Sequence, residues 1–291
     1  MLDRFRWSAS RRRAAVAALL GAGVVVGAVT SCDTSPSSKE KSMTSQRPVA
    51  EATTLLADLA KVSRTRVFFG HQSVGMNILE GVSSVYAAHG MTAPPIGEGA
   101  APGQDGGFID HGFIGENGKP LLKIQDFAAK LRAGLGERVD VAMMKLCYVD
   151  ITSGTDVQAV FDAYRTTMVA LQREFPHVTF IHASVPLTTE PGLLSKVKSL
   201  LTGRGGSAAD NAARERFNAL IRHQFAADHL FDLAAAESTA PDGGRVAGTQ
   251  GGQRYYALYD GYAADSGHLN AEGARVIATA WLTAIAQASR K

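Results

Sequence analysis

Cysteine is scarce in this sequence. Of 291 residues, only Cys32 and Cys147 are cysteines, which excludes a disulfide-stapled framework and a zinc site built on cysteine. Ten prolines, thirty glycines and a 45% hydrophobic content argue against wholesale disorder, a collagen helix or a coiled coil. The composition is that of a globular protein with a sizeable buried core.

A surplus of charge of one sign is also missing once the N-terminus is set aside. The net charge of +3 is concentrated in Met1 to Ser31, which holds five arginines and one aspartate. The rest of the chain carries 25 basic and 26 acidic side chains, a balance that offers no basic surface to a polyanion. The sequence therefore predicts no nucleic-acid partner.

The longest apolar run is short for a membrane span. Ala14 to Val29 has sixteen mostly small residues, against about 20 for a bilayer. The run follows a basic segment, which is the layout of an export signal, and it ends in Val29-Thr30-Ser31-Cys32. This ending resembles a bacterial lipobox, and Ser10 to Arg13 resembles a twin-arginine motif. The resemblance implies a signal peptide over 1–31 and a lipid on Cys32 that anchors the protein outside the cytoplasm. An uncleaved signal anchor is the alternative.

The remainder divides into a tether and one domain. Residues 32–48 are rich in Ser, Thr, Pro and Lys, which predicts a flexible tether. Residues 49–291 contain no second linker or repeat. Short apolar runs alternate there with helical patterns, which predicts an α/β domain of three α/β/α layers around a parallel sheet. The predicted strands are 66–70, 139–146, 178–185 and 230–233, and the predicted helices are 51–62, 74–89, 121–135, 157–175, 208–227 and 271–288.

A serine and a histidine lie at the starts of two predicted helices. Ser73 follows the strand 66–70, where free N–H groups and the helix dipole favour a developing oxyanion. This position suits a nucleophile, and it equally suits a helix cap, because serine is a common N-cap. His268 follows Asp265 by three residues, just before the closing helix. That spacing lets a carboxylate hold one ring nitrogen while the other accepts a hydroxyl proton.

These residues resemble the SGNH hydrolases, also called the superfamily of GDSL lipases and esterases. The family's first block, a strand followed by Gly-Asp-Ser, is similar to Gly70 to Ser73, with Gln72 at the aspartate and one residue inserted. Its Asp-x-x-His block before a C-terminal helix matches Asp265 and His268 residue for residue. The resemblance implies a flavodoxin-like, five-stranded parallel sheet. It also implies that Ser73 is the nucleophile, His268 the base and Asp265 its orienting carboxylate.

Two further blocks concern the oxyanion hole. The second block resembles Asp110 to Glu116, which implies that the N–H groups of Ser73 and Gly115 bind the oxyanion. The third block, Leu-Gly-x-Asn-Asp, is broken, because Val149 occupies the position of the asparagine. Loss of one oxyanion donor lowers a rate about 10²–10³-fold. Asn77, one helical turn past Ser73, is a candidate for the missing amide.

Four side chains near the same strand ends are candidates to line a substrate pocket: His71, Gln72, Tyr148 and Asp150. Gln72 is also a second possible source of the missing amide. His71 suits either a pocket wall or a bond to the backbone at the helix entry. Asp150 is the expected ion-pair partner of Lys145, which interrupts an apolar strand.

Other candidates have simpler interpretations. Cys147 fits a small buried hydrophobe better than a nucleophile. Asp110 and His111 lack a third ligand, so no metal site is predicted, and the chemistry needs no organic cofactor. The tyrosines between Gly251 and Ala264 either offer aromatic faces to a sugar or pack the loop before Asp265. They are Tyr255, Tyr256, Tyr259 and Tyr262.

The sequence thus predicts a membrane-anchored, extracytoplasmic serine esterase, monomeric, that cleaves an O-acyl ester. Its expected partner is an ester-bearing small molecule or polysaccharide, with an envelope or extracellular glycan preferred. Two alternatives stay open. One is a catalytically impaired module that binds glycan or protein, for which Val149 is the argument. The other is an acyltransferase that uses the same residues.

Overall fold

The central sheet consists of six parallel strands. The computed structural model describes residues 53–103, 106–190 and 207–289. The strands of this sheet are β1 (Arg66–His71), β2 (Ile96–Gly97), β3 (Phe108–Phe113), β4 (Val141–Met144), β5 (Thr179–Ala183) and β6 (Leu230–Phe231). Their spatial order is β2-β3-β1-β4-β5-β6, and every neighbouring pair is parallel. Without the two-residue β2 this is the flavodoxin-like order. The predicted parallel sheet is confirmed, but it has six strands rather than five, because β2 adds a short edge.

The helices follow the predicted alternation with the strands. The α3 helix continues into a π-helical turn at Leu131–Leu135. A separate antiparallel hairpin is formed by β7 (Ala247–Gln250) and β8 (Gln253–Tyr256). The helices are α1 (53–62), α2 (Val74–Ala88), α3 (Pro120–Lys130), α4 (Val157–Glu174), α5 (Ser207–Gln224), α6 (Leu233–Ser238) and α7 (Ala271–Ala288).

Two apolar cores cover the two faces of the sheet. Successive side chains of a strand point to opposite faces, and β1 separates its residues accordingly. Phe69 packs in one core with α1, α2 and α7, where its ring lies 5.0 Å from the ring of Trp281. Phe68 packs in the other core with α3, α4 and α5, stacked on Phe127 at 5.8 Å. The three α/β/α layers predicted from the sequence are therefore present.

Several elements were not predicted from the sequence, among them strand β3 and the β7–β8 hairpin. Strand β3 has Asp110, His111 and Gly112 where a buried parallel strand ordinarily has apolar residues. The Asp110 carboxylate is buried because it accepts a hydrogen bond from the N–H of Gly99 at 2.9 Å. The β7–β8 hairpin turns at two consecutive glycines with φ of 56° and 78°, a conformation that favours glycine and closes two-residue hairpins.

The predictions for the N-terminus lie outside the described residues. They are the signal peptide over 1–31, the lipid on Cys32 and the tether over 32–48. Among the helices of the described part of the chain, none has the length and apolar character needed to cross a bilayer.

Candidate active site

Ser73 lies in a strained turn between a strand and a helix. β1 ends at His71 and α2 begins at Val74, so two residues must reverse the chain direction. Ser73 has φ 48° and ψ −110°, a positive φ that no other non-glycine residue of the described chain adopts. Such a conformation costs about 1–3 kcal/mol and persists at functional turns. The Ser73 hydroxyl makes no capping bond to α2, so the interpretation of Ser73 as a simple helix cap does not hold.

The hydroxyl of Ser73 contacts a histidine that is 195 residues away in the chain. Its Oγ lies 2.5 Å from Nε2 of His268. The other ring nitrogen, Nδ1, lies 2.7 Å from Oδ2 of Asp265. Because a carboxylate accepts at Nδ1, the proton of the neutral ring belongs there, and Nε2 is left to accept from the serine. The structure thus brings the three predicted catalytic residues into one hydrogen-bonded chain.

The carboxylate of Asp265 is fixed by its own loop. Its Oδ1 accepts the backbone N–H groups of Gly267 and His268, each at 2.8 Å. These two bonds, followed by the bond to the His268 ring, lower the pKa of Asp265 to about 2. The group stays ionised over the whole working range of proteins. A permanent negative charge beside Nδ1 favours the imidazolium that forms when His268 accepts a proton.

The predicted oxyanion donors are engaged elsewhere. The N–H of Gly115 donates to Oδ2 of Asp126 at 2.9 Å. The amide of Asn77 donates to Glu80 at 3.4 Å, and its oxygen accepts the N–H of the residue after His268 at 3.3 Å. Both placements depart from the prediction, because each donor already has a protein acceptor. In the described residues the N–H of Ser73 has no hydrogen-bonded acceptor, so it is the donor that remains.

Two predicted pocket residues bond instead to β3 and to the segment that follows it. His71 is fully buried, and burial, aided by Lys145, lowers its pKa to about 3, so the ring is neutral. Its Nε2 lies 3.2 Å from Nδ1 of His111. Gln72 donates from its amide to the carbonyl oxygens of Ile114 at 3.3 Å and of the next residue at 3.2 Å. Gln72 therefore holds the segment after β3 and is not a free amide.

Asp150 is a buried structural anion rather than a pocket residue. Its Oδ2 accepts from Nζ of Lys123 at 2.6 Å, and both side chains are fully shielded from solvent. Its two oxygens also accept the N–H groups of Cys147 at 2.6 Å and Gly118 at 2.8 Å. The predicted pairing of Asp150 with Lys145 is wrong, because Lys145 contacts Sγ of Cys147 at 3.3 Å. The ion pair locks the segment after β3 to the segment after β4.

Tyr148 is the predicted pocket residue that does reach the catalytic group. Its half-buried ring meets the ring of His268 edge-on, with centroids 5.8 Å apart. It also lies against Gly267, where a Cβ atom would come within 2.5 Å of the Tyr148 ring. Residue 267 must therefore be glycine for the histidine loop to pack on this tyrosine.

The later tyrosines mostly pack the protein. Tyr255 and Tyr262 are buried. The ring of Tyr256 is covered by the guanidinium of Arg245, 3.4 Å from its centroid. Tyr259 meets Tyr262 edge-on at 5.0 Å. The packing interpretation therefore fits these residues better than an open face for sugars.

The structure exposes several large apolar side chains that the sequence does not mark as surface residues. Four of the large apolar side chains exposed in the described chain end β3 or follow β3 or β4: Phe113, Leu121, Leu122 and Val149. Phe113 is paired in register with His71, two residues before the nucleophile. Phe113 and Leu122 line an open cavity of about 460 Å³ together with Gln125 and Ala129. The exposure of these side chains is visible only in the structure, because apolar residues of these types are expected in the core from the sequence alone.

Comparisons with known proteins give limited similarity. No protein-family model matches the sequence, and no curated protein matches it. Among solved structures, a protein described as a platelet activating factor from Streptococcus pneumonia is 13% identical, with 82% of this chain and 99% of that chain covered and a TM-score of 0.40. A lipolytic protein of the G-D-S-L family from Desulfitobacterium hafniense DCB-2 is 12% identical, covering 76% and 99%, with a TM-score of 0.40. A GDSL-like lipase from Parabacteroides merdae ATCC 43184 is 12% identical, covering 77% and 96%, with a TM-score of 0.41.

No cluster of three or more potential metal ligands occurs in the part of the chain that the structure describes. The site brings together the hydroxyl of Ser73, the imidazole of His268 and the carboxylate of Asp265. A hydroxyl bonded to an imidazole that is itself bonded to a carboxylate is an arrangement for nucleophilic attack on an acyl group.

Proposed function

We propose that this chain is a serine ester hydrolase of the SGNH or GDSL type. The observation that carries the proposal is the hydrogen-bonded chain from Ser73 through His268 to Asp265, with distances of 2.5 and 2.7 Å. The strained backbone of Ser73 is a second support, because a serine that served only as a helix cap would need no positive φ.

The reaction follows from these contacts. Oγ of Ser73 attacks the acyl carbon while Nε2 of His268 takes the hydroxyl proton, and Asp265 stabilises the imidazolium. The tetrahedral intermediate collapses, His268 gives the proton to the leaving alcohol, and the acyl group stays on Ser73. Water then attacks the acyl-enzyme while His268 takes its proton. The second tetrahedral intermediate collapses with breakage of the bond to Oγ, His268 returns the proton to Oγ of Ser73, and the carboxylic acid is released.

The oxyanion is held less firmly than in a complete hole. The N–H of Ser73 and the N-terminal end of the 15-residue α2 are the electrostatic support that we propose. Each missing donor lowers turnover about 10²–10³-fold. We therefore propose a slow hydrolase.

The proposed substrate is an O-acyl ester. Export and a lipid anchor on Cys32, both proposals from the sequence, favour an ester on an envelope or extracellular glycan as the substrate of a monomeric, membrane-tethered enzyme. The acyl group would lie along the exposed side chains of Phe113 and Leu122, which line the open cavity at the end of β3. Because Tyr255 and Tyr262 are buried, the tyrosine cluster supports a glycan substrate less than its place in the sequence suggested.

Covalent labelling tests this function. The purified full chain in detergent is treated with a fluorophosphonate probe and with p-nitrophenyl acetate. The wild type and Ser83→Ala, a control at an exposed position of the same helix, should be labelled and should release nitrophenol. Ser73→Ala should do neither. Equal labelling of Ser73→Ala would overturn the assignment.

A second function has an observation in its favour. The contact of the Gly115 N–H with Asp126, together with Val149, is what a non-catalytic module binding glycan or protein would tolerate. An unlabelled wild type that hydrolyses no short ester would favour this module. An acyltransferase uses the same residues, and acylated product in the presence of a sugar acceptor distinguishes it from the hydrolase.

A further inference from the structure

Arg214 is a buried arginine without a carboxylate in its hydrogen bonds. It lies on α5 and is 3% exposed. Its four hydrogen bonds all end on neutral oxygen atoms, those of the carbonyl groups of Tyr148 at 2.9 Å and Ile151 at 3.1 Å and of the side chains of Thr188 at 2.9 Å and Asn211 at 2.7 Å. Burying an arginine in this way is costly unless its donors are needed where they point.

The carboxyl groups that act on this charge from a distance are Asp210 and, more weakly, Glu237. Burial raises the pKa of Glu237 to about 8, so the group is largely protonated at neutral pH. Burial also lowers the pKa of Arg214 to about 10, which leaves the guanidinium charged. A packing role alone would be met by an apolar side chain of similar volume.

The first target of Arg214 is the segment that supports the catalytic histidine. Its Nε fixes the backbone of Tyr148, and its guanidinium carbon lies 5.8 Å from the centre of the Tyr148 ring. That ring in turn meets the ring of His268 edge-on at 5.8 Å and packs on Gly267. A shift of Tyr148 would be passed directly to the imidazole.

The second target is the segment after β5, which holds the same loop from another side. Nη1 of Arg214 donates to the hydroxyl of Thr188, and the side chain of Asn211 bonds both the N–H and the carbonyl of Thr188. The next residue, Thr189, donates its N–H to the carbonyl of Ser266 at 2.9 Å. Arg214 therefore joins the two segments that contact the loop from Asp265 to His268.

We propose that Arg214 is a positioning residue for His268, acting through Tyr148 and through the segment of Thr188 and Thr189. The proposal rests on the proposed function. It goes beyond it by assigning the orientation of the base to a buried cation that touches neither the substrate nor the reacting atoms.

Kinetics of matched variants test the proposal. A misplacement of about 1 Å can cost 10²-fold in rate, so Arg214→Met should lower kcat about 10–100-fold with little change in KM. Arg214→Lys, which keeps one donor and the charge, should recover part of the loss. Arg222→Met is the control, because Arg222 lies on the same helix but pairs with Asp232 and Glu215. It should lower the melting temperature without lowering kcat.

A double-mutant cycle separates positioning from general destabilisation. Tyr148→Ala should lower kcat, and its combination with Arg214→Met should cost less than the product of the two losses, because Tyr148 carries one of the two routes from Arg214 to His268. All rates are measured below the melting temperature of every variant. Multiplicative losses, or an unchanged kcat in a folded Arg214→Met, would overturn the proposal.

A measurement that needs no activity distinguishes failure of the positioning role from failure of the proposed function. The proton on Nδ1 of His268, bonded to Asp265, should give a low-field proton NMR signal that Asp265→Ala abolishes. In Arg214→Met the signal should shift or broaden, whereas in Arg222→Met it should not. An inert wild type whose signal responds to Arg214 would reject the hydrolase but support the positioning role. An unmoved signal would reject the positioning role whatever the activity.

Discussion

The two sides of the candidate site are built differently. On one side, the functional atoms of Ser73, His268 and Asp265 bond to one another. This side is open to solvent, since the His268 side chain is 38% exposed. On the other side, the segments after β3 and β4 use their polar groups to hold each other. The carboxylate of Asp150 binds Lys123 and two N–H groups there. One side is arranged for proton transfer, and the other is arranged for rigidity.

The difference teaches where divergence is tolerated. A nucleophile and its base act as a unit, so the loss of either lowers kcat by about 10⁶-fold. An oxyanion hole loses rate in steps of about 10²–10³-fold per donor. Because Val149 stands where the resemblance would place an asparagine and the N–H of Gly115 is bonded to Asp126, we expect the proposed enzyme to be slow rather than inert.

The largest effect should come from the nucleophile side. Asp265→Asn removes the negative charge and places an NH₂ donor opposite Nδ1, which favours the wrong ring tautomer, so kcat for p-nitrophenyl acetate should fall about 10³–10⁴-fold. Asp265 is exposed, so the melting temperature at pH 7 should change little. Its pKa of about 2 lies below the ordinary value, so the stability that its bonds supply is present above about pH 4 and is lost as pH falls towards 2. A loss of kcat that merely follows unfolding would contradict the assignment.

The next effect concerns the rigid side. Lys123→Met leaves Asp150 buried and unpaired, which should lower the free energy of unfolding by about 3–5 kcal/mol, as measured by urea denaturation. Lys119→Met is the matched control, because Lys119 pairs with Glu116 at the surface. Its cost should stay near 0–1 kcal/mol. Equal costs for the two variants would show that the Lys123–Asp150 pair does not hold the two segments together.

The sequence was informative where one residue type is required. Asp265 and His268 match a spacing that chemistry dictates, and the last helix begins and ends as its apolar period predicts, at Ala271 and Ala288. Strand β1 was predicted to within one residue, ending at His71 rather than residue 70. In these places the local sequence pattern and the tertiary environment favour the same residue types.

The sequence failed where partners are set by the fold alone. From the sequence alone, either Lys123 or Lys145 could pair with Asp150. Only the approach of α3 to the end of β4 in the folded protein selects Lys123. The engagement of the Gly115 N–H likewise depends on Asp126, eleven residues later, folding back from α3. Strand β3 was missed because its polar residues are satisfied by contacts that no local pattern reveals, such as Asp110 with Gly99.

Restoring an amide should sharpen the contrast between the two sides. Val149 is 39% exposed, so Val149→Asn buries no new polar group. If the oxyanion lies near this segment, kcat for p-nitrophenyl acetate should rise about 10-fold, which is less than a full preorganised donor supplies. Val149→Leu, the apolar control, should leave kcat unchanged. A folded Val149→Asn with wild-type kcat would move the oxyanion away from the segment after β4.

The smallest expected effect tests the exposed apolar side chains of Phe113 and Leu122. Phe113 and Leu122 are 49% and 37% exposed, so contact with an acyl chain can bury only part of each, worth about 1 kcal/mol at 25 cal/mol per Å². Phe113→Ser and Leu122→Ser should each lower kcat/KM for p-nitrophenyl octanoate about 3–10-fold and leave the acetate ester unaffected. Leu56→Ser, an equally exposed leucine on α1, should change neither. Parallel losses on both esters would mean that these side chains hold the site together and do not contact the acyl chain.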